Sequence, residues 1–166
     1  ELNIEDIPIV IDPVYVASSG FKFLELIEYR KIYEILFPIA SLITPNILEL
    51  EKLSGISISN IENVLESLAK IYKERDISIF AKGSHLKGDT IIDILFEKES
   101  IIEYKTNRIK NKNTHGTGCT IASAIAFYLA KGYNKNDAIK NSKRYLLKIL
   151  KKKSLEGIKN NGPLNH

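Results

Sequence analysis

The sequence predicts an α/β sandwich with a mostly parallel central sheet. Short apolar runs typical of buried strands alternate along the chain with longer segments whose apolar residues recur at helical spacing, and this alternation favours a parallel α/β fold. The length of 166 residues corresponds to one domain, predicted to cover residues 1–166. A content of 44% apolar residues is enough for a hydrophobic core.

Two predicted elements open the chain. Residues 8–12, with the sequence PIVID, are a short apolar run that ends in a carboxylate and are predicted as a buried strand. Over residues 23–37, apolar residues recur at helical spacing, and Pro38 ends this helix because proline cannot continue one. The apolar residues at this spacing are Leu24, Ile27, Ile32, Ile35 and Leu36.

The middle of the chain repeats the pattern. Residues 41–44 are predicted as a second short strand, and the helix that follows at 46–53 ends at Gly55. Residues 60–75 are predicted to form an amphipathic helix, since their apolar residues lie on one face and Ser59 or Asn60 can cap the first turn. Residues 77–82 are the third apolar run and are predicted as a buried strand.

The last part of the chain begins with a pair of strands. Residues 90–96 and 101–105 are predicted to form this pair. The polar, glycine-containing stretch 113–120 is predicted as a loop that leads into a helix at 121–131, which is apolar on nearly every side and expected to be buried. The last helix covers residues 134–153. One face of this helix is predicted to consist of Ala138, Ser142, Tyr145 and Ile149.

Composition excludes several classes of protein. No apolar run approaches the roughly 18–20 residues that a membrane span needs, and the N-terminal residues do not resemble a signal peptide. A single cysteine excludes a disulfide framework and indicates a reducing compartment, so we expect a cytoplasmic protein. The net charge of +4 comes from scattered lysines, which indicate a solvated basic surface and not a nucleic-acid site.

The stretch 113–120, with the sequence NTHGTGCT, carries the strongest functional signal. Its glycines allow a tight backbone, and the N-terminus of the following helix favours an anion. Cys119 would lie in the first helical turn, where the pKa of a thiol falls, so it could act as a base or a nucleophile. A glycine turn before a core helix with a small buried cysteine explains the same residues equally well. The G-x-x-x-x-G from Gly83 to Gly88 lacks the Lys-Ser/Thr that a P-loop requires.

Polar residues also follow the three predicted buried strands. Ligands of parallel α/β sheets lie at the carboxyl ends of strands, and these ends carry Asp12, Asn46 with Glu49, and Lys82. Glu49 could hold Mg²⁺ through water beside a nucleotide, although Asn46 and Glu49 also have the spacing of a capping box. Asp12 could equally belong to a turn, and Lys82 could equally be an exposed strand end.

Taken in chain order, these stretches resemble the hydroxymethylpyrimidine/phosphomethylpyrimidine kinases of thiamine biosynthesis, in the ribokinase-like superfamily. The matching motifs are Asp12-Pro-Val…Ala-x-Ser-Gly20, Thr44-Pro-Asn-x-x-Glu49, Lys82-Gly-x-His85-Leu, Asp93-x-Leu-Phe96, Asn113-Thr-His-Gly-Thr-Gly-Cys119-Thr and Gly162-Pro-Leu-Asn-His166. The resemblance covers essentially the whole chain. The cysteine loop is specific to this branch, since most ribokinase relatives carry Asp in place of Cys119.

The resemblance implies a three-layer sandwich with helices on both faces of the sheet, ATP and Mg²⁺ as cofactors, and a homodimer. It implies a small pyrimidine as substrate and neither nucleic acid nor membrane as partner. By similarity, Cys119 is the catalytic base. The other roles implied are an anion hole from Gly116, Thr117, Gly118 and Cys119; nucleotide contacts from Asp12, Asn46, Glu49, Lys82 and Thr114; Mg²⁺ contacts from Asp12 and Glu49; and substrate contacts from Val14 and Cys119.

The chain departs from the family pattern in two respects. Tyr15 and Ser18 stand where the family usually has Met and Lys. The glycine-rich segment and the substrate-binding Asp and Gln with which the family begins are not in this sequence, which contains no methionine, so we expect a piece of a longer kinase. Pyridoxal kinase of the cysteine-loop type, a non-catalytic nucleotide-binding remnant and a Cys119 peptide hydrolase remain alternatives.

Overall fold

The computed structural model describes residues 7–17, 20–83, 89–98, 100–109, 116–151 and 164. The chain divides into two compact units. The first unit is Ile9–Asn107, and the second consists of Glu1–Pro8 and Arg108–His166.

The first unit contains a five-stranded mixed sheet in the order β1-β2-β3-β4-β5. The strands are β1 (Val10–Ile11), β2 (Leu42–Ile43), β3 (Ile79–Ala81), β4 (Thr90–Glu97) and β5 (Ser100–Asn107). The first three strands pair in parallel, whereas β3 with β4 and β4 with β5 pair antiparallel. All five predicted strands are present, and the α/β class is confirmed. β1, β2 and β3 form a parallel half of the sheet, and the antiparallel hairpin of β4 and β5 extends it.

Helix α1 (Leu26–Leu36) turns a different face inward than the isoleucine spacing suggests. It begins at Leu26 and not near Phe23, and Pro38 lies in a short 3-10 turn directly after it. Tyr29 is fully buried, while Ile27 and Ile35 are 70% and 75% exposed. The buried face therefore follows the tyrosines and not the isoleucines, because Tyr29 is the residue of α1 that meets the core.

Helices α2 (Ile47–Ser54) and α3 (Ile61–Arg75) have the ends that the sequence predicts. Gly55 ends α2 in the left-handed region at φ +73, where a side chain would be strained. Asn60 caps α3 by accepting a hydrogen bond from the Asn63 backbone N–H at 2.9 Å. Both helices pack on the sheet through one apolar cluster, which includes Ile43, Leu50, Val64, Leu68, Ile71, Ile79 and Ile94.

The second unit is described through α4 (Thr117–Ala130) and α5 (Lys135–Leu150). Helix α4 begins at Thr117, four residues before the start predicted from the apolar run. Its buried residues are Ile121, Ala122, Ala124 and Ile125. Phe127 is 55% exposed, so the expectation of a helix buried on every side is wrong. In α5, Leu146 is buried in place of Tyr145, which is 40% exposed. Ala138, Ser142 and Ile149 are buried as predicted.

None of the helices in the described part of the chain has the length and apolar character that crossing a membrane requires.

Candidate functional site

The carboxyl ends of the three parallel strands bring Asp12, Thr44 and Lys82 to one edge of the sheet. Backbone hydrogen bonds continue the pairing just past the strands, since the Thr44 N–H donates to the Ile11 carbonyl at 3.0 Å and the Lys82 N–H donates to the Pro45 carbonyl at 2.8 Å. Residues far apart in the sequence are thereby held side by side. This edge is where α/β sheets bind ligands.

Asp12 is the centre of this group. The Lys82 ammonium lies 2.6 Å from Asp12 Oδ1, and the Thr44 hydroxyl donates to the same oxygen at 2.9 Å. Only 11% of the Lys82 side chain and 15% of the Asp12 side chain are exposed. A charge-assisted hydrogen bond at this burial is stronger and more rigid than a surface ion pair. Lys82 is therefore a buried, paired cation and not an exposed strand end.

Asn46 and Glu49 form the capping box that their spacing predicts. The Asn46 side chain accepts from the Glu49 backbone N–H at 2.9 Å, and Glu49 Oε2 accepts from the Asn46 backbone N–H at 2.7 Å. Glu49 is nevertheless only 2% exposed. A capping box forms equally well on an exposed helix and does not require burial. Carboxylates are almost never fully buried unless they are paired. The cap therefore orients Glu49 but does not account for its place inside the protein.

Burial raises the pKa of Glu49 to about 7, and the nearby Asp12 charge acts in the same direction. The Lys82 ammonium and hydrogen bonds from the Asn46 and Tyr15 backbones oppose this rise in pKa. The carboxyl is therefore poised to change its charge near neutral pH. A cation that bound beside Glu49 would favour the ionised form.

The exit from β3 is anchored on β4. The Gly83 backbone N–H donates to Asp93 Oδ1 at 2.8 Å, and Asp93 is buried. A Cβ at Gly83 would lie 1.7 Å from the Ile92 carbonyl oxygen, so only glycine allows this approach of the two backbones. The anchor holds the residue that follows Lys82, and with it the lysine backbone.

In the second unit, the structure places Cys119 in the first turn of α4, as predicted. Gly116 precedes this turn with φ +83, a conformation that favours glycine. Thr117 and Gly118 are the first two residues of the helix, and Cys119 is exposed. The first turn of a helix presents backbone N–H groups that suit an anion. Thr114 lies outside the described residues.

The structure brings to the site several residues for which the sequence predicts no role. Thr44 belongs to one of the matching motifs but carries no predicted role, and its hydroxyl donates a hydrogen bond to Asp12. The isoleucine spacing of α1 does not include Tyr29, yet the Tyr29 hydroxyl donates to the Pro13 carbonyl at 2.6 Å. The signal that could have found Tyr29 is the spacing of Tyr29, Tyr33 and Phe37, which recur every four residues on one helical face. Val14, for which the resemblance implies a substrate contact, is half-buried in the loop that follows β1.

The donors present fit a magnesium ion that phosphates help to hold. Among the residues that the structure describes, no group of three or more His, Cys, Asp and Glu side chains could hold a metal ion. Asp12 and Glu49 supply two carboxylates, and their charges influence each other. Mg²⁺ is commonly bound by one or two carboxylates together with substrate phosphates.

A family model described as phosphomethylpyrimidine kinase matches residues 1–165. The chain belongs to this family. The match confirms the resemblance that the motifs indicate. It includes Asp12, Thr44 and Lys82, which we call the strand-end group.

Relatives of this phosphomethylpyrimidine kinase family member agree in sequence and in fold. The thiamine biosynthesis bifunctional protein ThiED of Geobacter sulfurreducens is 40% identical over 158 residues, which are 95% of this chain and 32% of that protein. The crystal structure of a Clostridium difficile phosphomethylpyrimidine kinase aligns with a TM-score of 0.73 at 34% identity, covering 87% of this chain and 58% of that one.

A solved Bacillus subtilis pyridoxal kinase, in complex with ADP, aligns with a TM-score of 0.80 at 29% identity and covers 95% of this chain and 58% of that one. The chain thus spans less than two thirds of the length of each of these three relatives.

Proposed function

We propose that the protein is an ATP-dependent kinase that phosphorylates 4-amino-5-hydroxymethyl-2-methylpyrimidine and then converts the monophosphate to the diphosphate, in thiamine biosynthesis. The observation that carries this proposal is the buried group of Asp12, Thr44 and Lys82 at the carboxyl ends of three parallel strands, with Glu49 beside it. Membership of the phosphomethylpyrimidine kinase family supports the reaction and the substrate class. The protein acts in the cytoplasm, as a homodimer.

The strand-end group is proposed to hold the phosphates of ATP. Lys82 supplies a buried positive charge to a phosphate oxygen, in exchange for part of its contact with Asp12. Asp12 and Glu49 face Mg²⁺, directly or through water, and Asn46 fixes the orientation of Glu49 through the capping box. Bound Mg²⁺ would neutralise negative charge on the phosphates.

Residues of the second unit are proposed to serve the transferred phosphoryl group. The backbone N–H groups of Gly116, Thr117, Gly118 and Cys119 form the anion hole, because the first turn of α4 presents N–H groups that suit a phosphoryl oxygen. Thr114 contributes to nucleotide binding, and Val14 contacts the pyrimidine.

The two transfers place different demands on Cys119. In the first, the hydroxymethyl oxygen bonds to the γ-phosphorus, the bond to ADP breaks, and the hydroxyl proton passes to the Cys119 thiolate. In the second, the attacking phosphate oxygen is already anionic at neutral pH. We therefore expect Cys119→Ser to slow the first transfer by about 10²–10⁴-fold, the usual share of a general base, and the second transfer by much less. Chromatographic separation of monophosphate and diphosphate measures both rates, and equal losses would contradict the assignment of the base.

Pyridoxal kinase is the second candidate, because the pyridoxal kinase of Bacillus subtilis aligns over 95% of this chain. Tyr15 and Ser18 stand where the family usually has Met and Lys, and the resemblance implies that the family uses these positions near its substrate. The two functions separate in a direct comparison of kcat/KM for the hydroxymethylpyrimidine and for pyridoxal, with ATP and Mg²⁺. We expect the pyrimidine to be preferred by at least about tenfold, a difference of about 1.4 kcal/mol. A preference for pyridoxal, or nucleotide binding without turnover of either ring, would overturn the proposal.

A further inference from the structure

The loop from Asp12 to Tyr15 has no regular secondary structure, yet it supplies several parts of the site. Asp12 meets Lys82 and Thr44, and the backbone of Tyr15 hydrogen-bonds to the Glu49 carboxylate. The loop turns tightly, since the Val14 N–H donates to the Asp12 carbonyl at 2.8 Å. A loop of this kind needs an external contact to hold one conformation, because its own backbone hydrogen bonds are few.

Tyr29 provides such a contact from α1. Its side chain is completely buried, and its hydroxyl donates to the Pro13 carbonyl at 2.6 Å. Its ring lies edge-on to Tyr15 at 4.8 Å and to Tyr33 at 4.7 Å between ring centroids. The same residue thus holds the loop backbone through its hydroxyl and packs against the loop side chain through its ring.

The hydroxyl of Tyr29 remains a donor across the range of pH at which proteins are folded. Burial, together with the charges of Glu49 and Asp12, raises the pKa of Tyr29 well above its ordinary value. Packing alone would be satisfied by phenylalanine, so the hydroxyl is the part of Tyr29 that distinguishes a core residue from a residue that serves the site.

We propose that Tyr29 is a positioning residue, which fixes the Pro13 carbonyl so that Asp12 meets Lys82 and the Tyr15 backbone meets Glu49. The inference that Tyr29 positions the loop rests on the contacts described above and not on the proposed function. Its consequence for nucleotide binding rests on the proposed function.

Tyr29→Phe tests the proposal because it removes only the hydroxyl and keeps the ring. Tyr33→Phe is the matched control: Tyr33 lies one turn further along α1 in the same ring stack, and within the described residues its hydroxyl has no hydrogen-bond partner. The first readout needs no activity. It is the amide hydrogen exchange of Tyr15, measured by NMR relative to the amide of Ile43 on β2 in the same sample, so that a general loss of stability cancels.

We expect Tyr29→Phe to raise this exchange ratio about five- to tenfold, as the loss of one buried hydrogen bond predicts, and Tyr33→Phe to leave it unchanged. The second readout is the dissociation constant for MgADP, which should rise by a similar factor in Tyr29→Phe only. An unchanged exchange ratio, or equal changes in both variants, would overturn the positioning role. A selective rise in exchange in a protein whose wild type binds no MgADP would support the positioning role and count against the proposed function.

Discussion

Replacing Glu49 with glutamine should stabilise the protein at alkaline pH while it damages the site. The glutamate is buried and its pKa is raised to about 7 from an ordinary value of 4.5. Because the folded protein disfavours the ionised carboxyl, folding costs energy wherever that carboxyl is ionised. Glutamine keeps the shape and the acceptor for the Asn46 backbone N–H, and it is common at this position of a capping box, but it carries no charge to bury.

The magnitude follows from the difference in pKa between the unfolded and folded states. Below about pH 4.5, Glu49 is protonated in both states and contributes no penalty. As the pH rises from 4.5 through about 7, the unfolded state loses its proton first, and the penalty grows to about 3 kcal/mol. Wild-type stability should therefore fall over this interval by that amount relative to Glu49→Gln, whose position 49 does not titrate.

Urea unfolding at pH 5 and at pH 8 provides the assay, with the difference between variant and wild type taken at each pH so that the other titrating groups cancel. We expect Glu49→Gln to gain about 2–3 kcal/mol on the wild type between the two pH values. Glu66→Gln is the control, since Glu66 is exposed on α3 and should show no pH-dependent difference. If Glu49→Gln shows the same pH dependence as the wild type, the carboxyl is not held in the environment described here and the reasoning is refuted.

Three further predictions concern the core and the edge of the sheet. Lys82→Met leaves a buried carboxylate without its cation and should cost about 3 kcal/mol in urea unfolding, and adding Asp12→Asn should recover most of that loss; no recovery would show that the pair is not coupled. Gly83→Ala forces a Cβ against the β4 backbone and should cost about 1–3 kcal/mol, so a neutral effect on the thermal midpoint would contradict the close approach. In α5, Leu146→Ala should lower the free energy of unfolding by about 2–3 kcal/mol and Tyr145→Ala by less than about 1 kcal/mol. A larger loss for Tyr145→Ala would support the face predicted from the sequence.

Much of the architecture was predictable because short apolar runs and helix caps are local signals. The runs around residues 8–12, 41–44 and 77–82 mark β1, β2 and β3, and the caps of α2 and α3 follow from Asn46 and Asn60. Which face of a helix is buried depends on what packs against it. On α1, tyrosines and isoleucines offer comparable apolar surface, and the sequence does not state which of the two meets the core.

The arrangement of the site was predictable in part. The rule that ligands lie at strand ends predicts that Asp12 and Lys82 approach each other. It does not predict that they pair directly, because 70 residues separate them and the contact depends on the strand order. The burial of Glu49 was also hidden, since a capping-box spacing is the same in an exposed helix and in a buried one. The hydroxyl of Tyr29 meets the Pro13 carbonyl only in the folded protein, because 16 residues separate the two in the sequence.

The central claim is that the buried charges at the strand ends hold the phosphates of a nucleotide. Calorimetric titration of MgADP into the purified protein tests this claim most directly, with Lys82→Met as the variant and Lys73→Met, at an exposed position of α3, as the control. We predict that the wild type and Lys73→Met bind MgADP equally, and that Lys82→Met binds at least about tenfold more weakly, as the loss of a charge-assisted contact to phosphate implies. Equal affinity of all three proteins, or no binding by the wild type, would contradict the claim.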